Sequence, residues 1–81
     1  MNSKKIYVDV TALFSKDGRL IPLNLIWENG HVYEIQGIKD IRRAASLKAC
    51  GGGTRYTCMI DGKQSYLYYE CNNQWFVEGR E

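Results

Sequence analysis

The chain has 81 residues, 44% of them hydrophobic and 25% charged, with a formal net charge of +2. That length suffices for a single domain, residues 1–81, and so small a domain buries only about 60% of the surface its unfolded chain exposes, so nearly every large side chain is needed in its core. No apolar run approaches the ~20 residues that span a bilayer, and the lysines near the start precede a polar–apolar alternation, not the apolar block of a signal peptide, so no membrane association is expected.

From Ile6 the residues alternate, with Ile6, Val8, Val10, Ala12 and Phe14 on one face and Tyr7, Asp9, Thr11 and Leu13 on the other. This predicts a strand with one buried face. Residues 15–19, SKDGR, supply a turn. A second strand then puts Ile21, Leu23, Leu25 and Trp27 on one side, and Pro22, which cannot donate a ladder hydrogen bond, belongs at an edge or a bulge. Asn29-Gly30 predicts a hairpin with a type I′ turn, because both residue types tolerate positive φ, so HVYEI at 31–35 returns as the third strand.

Residues 37–49 read two ways. Ile35, Ile38, Ile41, Ala45 and Lys48 recur at spacings of three and four, and Asp40 is placed to cap a short helix ending before Gly51. A bulged extension of the third strand competes and is preferred, because Gly37 can seat a bulge and long bent strands let small barrels close. In that strand Arg42 and Arg43 point to opposite faces, so one of them needs a rim position or an acidic partner, for which Asp9 and Glu34 are the best placed. Further on, RYTCMI at 55–60 and QSYLYYE at 64–70 flank Asp61-Gly62, a second hairpin, and Asn72-Asn73 makes another reversal before QWFVE at 74–78. Tyr66 and Tyr68 share one face, Leu67 and Tyr69 the other. The expected fold is all-β: a small, strongly bent antiparallel barrel of five or six strands, in which curling one sheet on itself makes a core without a helix layer.

Catalytic chemistry is poorly provided for. The P-loop pattern needs a lysine after its last glycine and a following helix, whereas Thr54-Arg55 follows Gly53 and a strand comes next. The single histidine, His31, sits beside a hairpin turn, Asp17 and Asp61 are turn residues, and no paired carboxylates stand out. Cys50, Cys58 and Cys71 are odd in number and lack the close pairs of a zinc site. Unpaired thiols fit a reducing cytoplasm. No enzyme activity, cofactor or metal is expected.

Binding is better provided for. Lys39, Arg42, Arg43, Lys48 and Arg55 concentrate positive charge around Gly51, Gly52 and Gly53, where a glycine-rich backbone can approach phosphates, and Tyr66, Tyr68 and Tyr69 are candidate contact aromatics for unpaired bases. The expected function is therefore a non-catalytic module binding single-stranded nucleic acid. The alternative is a protein adaptor or homodimer that uses an exposed strand edge and the tyrosines, residue types favoured at contact centres. What separates the readings is whether Arg42, Arg43 and Arg55 share a face.

At WENGHVYEI (27–35), IRRAAS (41–46), RYTC (55–58), Tyr66-Leu67 and Trp75-Phe76-Val77 the chain resembles a group of small, uncharacterised bacterial proteins with Src-homology-3-like barrels, some encoded beside Y-family DNA polymerases. The resemblance covers nearly the whole chain. It implies a Src-homology-3-like fold and a cytosolic role linked to DNA, with a DNA-processing protein as a partner, and it offers no catalytic residues.

Overall fold

The computed structural model describes residues 3–43, 53–70 and 73–80. They form six strands: β1 (Ser3–Phe14), β2 (Leu20–Ile26), β3 (Val32–Arg43), β4 (Gly53–Ile60), β5 (Lys63–Glu70) and β6 (Trp75–Arg80). Each pairs antiparallel with the next, and β6 returns to β1, closing an up-and-down barrel in chain order. No helix among the described residues is long and apolar enough to cross a membrane.

Two long strands make the corners. The first half of β1 pairs with β6, from Ser3 opposite Arg80 to Val8 opposite Trp75, and its second half pairs with β2, from Asp9 opposite Ile26 to Phe14 opposite Leu20. β3 divides likewise: Val32, Tyr33 and Glu34 pair with β2, and Ile35 onward pairs with β4. The barrel is thus a long sheet, β3-β4-β5-β6-β1, folded against a short one, β1-β2-β3. Register shifts on β3 lie between Ile35 and Gly37 and between Ile38 and Asp40. An extra residue at each bends the strand and increases its twist, which is what a corner needs. Residues 38–43 are therefore strand and not helix, and the first bulge puts its extra residue at Gln36, next to Gly37, which pairs with Met59; residues 44–49 lie outside the described part.

A third shift falls where Pro22 stands. Thr11 faces Asn24 and Ala12 faces Pro22, so Leu23 is the extra residue. This corrects the expected face of β2. The bulge inverts the phase of the alternation, leaving Pro22 and Leu25 buried, Leu23 43% exposed and Ile21 outward beside Leu13. Leu25 joins Tyr56, Cys58, Leu67 and Trp75 in the interior, with Val8, Val10, Ile38, Tyr69 and Val77 packed around them.

The turns follow their sequences with one difference. Asp61 and Gly62 both have positive φ, 55° and 77°, and connect Ile60 directly to Lys63, as a two-residue hairpin requires. At Asn29-Gly30 only Gly30 is left-handed, at 88°. Gly30 donates to the Trp27 carbonyl at 2.9 Å and Trp27 to the His31 carbonyl at 2.8 Å, which is a three-residue loop in place of the expected type I′ turn. The same two bonds recur at Ser15, Gly18 and Arg19 and at Glu70, Asn73 and Gln74.

Candidate functional site

Cross-strand partners share a face, so the register fixes where the predicted residues point. Arg42 faces Arg55, Arg55 faces Tyr68, Tyr68 faces Phe76 and Phe76 faces Tyr7. These five make one row across the outer face of the long sheet. Arg42 and Arg55 are therefore brought together. Arg43 is not: it lies opposite Thr54, on the inward phase, exposed at the end of β3. Tyr69 also points inward and packs at 4.7 Å from Trp75. Gly53 is buried opposite Glu70, and Lys48, Gly51 and Gly52 lie outside the described residues.

The aromatic row is largely closed to ligands. Tyr68 stacks on Phe76 with ring centroids 4.8 Å apart, Tyr7 meets the Phe76 ring edge-on at 5.8 Å, and Lys5 Nζ stands 4.9 Å over it. Phe76 is consequently 1% exposed although it faces away from the barrel interior. Of the predicted contact aromatics only Tyr66 is open, at 42%, and Arg55 lies across its ring at 4.7 Å.

The named charges of this face balance in number, and two of its cations are ion-paired. Arg42 Nε donates to Asp40 Oδ2 at 2.6 Å; Asp40, not Asp9 or Glu34, is its partner, two residues away on the same strand face. Lys5 pairs with the buried Glu70, whose other carboxylate oxygen accepts from Tyr7 at 3.0 Å. The Lys5 ammonium holds the Glu70 carboxyl below its usual range, and the same bond holds Lys5 above its own. Glu78 accepts from the Tyr68 hydroxyl at 3.1 Å, and burial together with that bond pushes the phenol up. Lys5, Arg42 and Arg55 thus stand against Asp40, Glu70 and Glu78. Arg55 Nε is buried without a hydrogen-bond partner, an uncompensated polar atom inside an otherwise satisfied network.

A second feature was not legible from composition or motif. The ladder between β2 and β3 has three pairs, Asn24–Glu34, Leu25–Tyr33 and Ile26–Val32. Beyond them β2 and β3 diverge. Residues 20–23 of β2 and 36–43 of β3 have no partner strand on their facing sides among the described residues. In a strand, alternate residues direct N–H and C=O to each side, so both lips of the gap present backbone donors and acceptors. Between them opens a groove lined by Arg19, Leu20, Ile38, Lys39, Asp40, Ile41 and Tyr56.

The groove has an apolar floor and a basic rim. Ile41 faces Tyr56 on the inward phase yet is 48% exposed, because no strand among the described residues covers it. Tyr56, 4% exposed, reaches from β4 beneath the gap and donates to the Leu20 carbonyl at 2.6 Å, replacing one missing ladder bond; burial pushes its phenol up. Lys39 sits in the second bulge of β3, and Arg43 follows Ile41 two residues later on the same face. Arg19, Lys39 and Arg43 have no carboxylate partner among the described residues. The signals in the sequence are Pro22 and Gly37, each beside a bulge just past the Asn24–Glu34 pair where the β2–β3 ladder ends.

His31 stands exposed at the end of its turn, its amide bound to Asn29 Oδ1 at 2.9 Å. Burial pushes the Cys58 thiol up to about 11, so it is a core residue without thiolate character at neutral pH. No family model matches the chain, and neither the curated proteins nor the solved structures compared with it include a match. The small antiparallel barrel implied by the resemblance is present as a closed six-strand barrel.

Proposed function

We propose that the protein is a non-catalytic binding module whose working surface is the groove between β2 and β3 and whose partner is another protein. The observation that carries this reading is the interruption of the β2–β3 ladder over an apolar floor. Unpaired strand edges are strong, directional recognition elements for polypeptide, and Leu20, Ile38 and Ile41 offer apolar area beside them. The exposed turn position of His31 and the buried thiol of Cys58 support a module without catalysis. The resemblance to proteins encoded beside Y-family DNA polymerases favours a DNA-processing protein as the partner.

A photo-crosslinker replacing Ile41 in the living cell is expected to capture a protein, and the capture is expected to disappear when Lys39→Glu and Arg43→Glu are added. Capture of nucleic acid in place of protein, or capture that those changes leave untouched, contradicts the reading.

The second reading, single-stranded nucleic acid on the outer face of the long sheet, is favoured by one observation: Arg42 and Arg55 are cross-strand neighbours beside the exposed Tyr66. Because the charges there balance, such binding rests on Tyr66 stacking and a few direct contacts, with a shallow salt dependence.

A further inference from the structure

We infer that the partner segment is an extended strand with acidic flanks, a conclusion that rests on the groove's being a protein-binding site. The segment pairs its backbone with the free edge of β3 over residues 38–43. It sets one apolar side chain among Leu20, Ile38, Ile41 and Tyr56, and it places carboxylates against Arg19, Lys39 and Arg43.

The form of the ligand follows from the lips. An added strand satisfies the unpaired N–H and C=O groups of β3, whereas a helix has spent its own backbone groups internally and leaves them bare. A nucleic acid finds no platform here. Among the described residues the one aromatic ring of the lining belongs to Tyr56, which is 4% exposed with its hydroxyl bound to Leu20, so none of them presents a ring face to a base.

The charge of the ligand follows from the rim. Asp40 is the only acid in the lining among the described residues, and Arg42 already engages it. That leaves Arg19, Lys39 and Arg43 to attract carboxylates, which steer and orient a segment. The same rim disfavours a second copy of this chain. Pairing β3 with β3 of another molecule about a two-fold axis brings Lys39 and Arg43 of each copy toward those of the other, and like charges opposed across strands are destabilising.

The test uses the full chain labelled with nitrogen-15 and four probes: a blocked peptide EDVTLTVDE, its lysine-flanked counterpart KKVTLTVKK, the acidic peptide N-methylated at alternate residues, and a short oligothymidine. The acidic peptide is expected to move the amide signals of residues 20–23 and 38–43. It is expected to lose about tenfold or more in affinity when its flanks become lysine, or when the protein carries Ile41→Glu, and to keep its affinity in Arg55→Ala. An N-methylated peptide that binds equally well overturns strand pairing, and a lysine-flanked peptide that binds equally well overturns the charge assignment. If the acidic peptide is silent but segments selected from a random peptide library move these same amides, the inferred chemistry is wrong and the protein-binding reading stands. If the library yields none, or only oligothymidine acts, and on the face of Arg42, Arg55 and Tyr66, both fail.

Discussion

Glu70 shows how a single residue can be both polar and structural. At 1% exposure a carboxylate is tolerable only if its oxygens are bonded and its charge is met. Lys5 meets the charge and Tyr7 takes the second oxygen, joining β1 to β5 across the ring of Phe76 on β6. With its folded-state value below the ordinary 4.5, Glu70 contributes stability that is present above pH 4.5 and lost as pH falls through the folded value. Lys5, raised above 10.5, contributes stability present below pH 10.5 and lost as pH rises through its folded value. Thermal unfolding followed between about pH 6 and about pH 3 is thus expected to show wild type losing more stability than Glu70→Gln; equal losses would remove Glu70 from this role. None of this was legible in the sequence. The pair spans sixty-five positions of chain, and only the closure of β6 onto β1 brings its members together.

Among the elements, β2 is held unevenly by its two neighbours. It has a full ladder to β1 but three pairs to β3, and the Tyr56 hydroxyl is the described side-chain bond that ties its start to the long sheet. Tyr56→Phe removes that bond while keeping the ring in the core, and is expected to cost about 1 kcal/mol in denaturant unfolding. An unchanged midpoint would mean that water or a neighbouring donor serves Leu20 equally well. The hairpins themselves were plain in the sequence, because Asp61-Gly62 and Asn29-Gly30 carry local backbone preferences that need no tertiary help. The details that failed were those set by register. Strict alternation puts Leu23 on the face of Leu25 because it ignores a bulge, and the residue types of Asn29-Gly30 suggest positive φ at both because they do not specify the loop length. Arg42 and Asp40, by contrast, stand two apart in a strand, a spacing that places them together by geometry alone.

For the molecule as a whole, two surfaces that meet along β3 exchange the roles the sequence suggested. The row containing Arg42, Arg55 and Tyr68 reads as a basic aromatic patch, but Arg42 is paired with Asp40, Lys5 with Glu70, and Phe76 and Tyr68 are packed away. Arg19, Lys39 and Arg43, which have no carboxylate partner among the described residues, stand beside the gap between β2 and β3. Beyond Pro22 and Gly37 nothing local in the sequence marks that relocation, since it depends on where a ladder ends. The open edge of β3 is what the functional reading stands on, and native-state amide hydrogen exchange reports on it directly. Along residues 36–43 we expect strong protection for the amides directed at β4 and exchange faster by orders of magnitude for those directed at the groove. Uniform protection of both sets would show that the edge is already paired, and the groove would then have no strand to offer a partner.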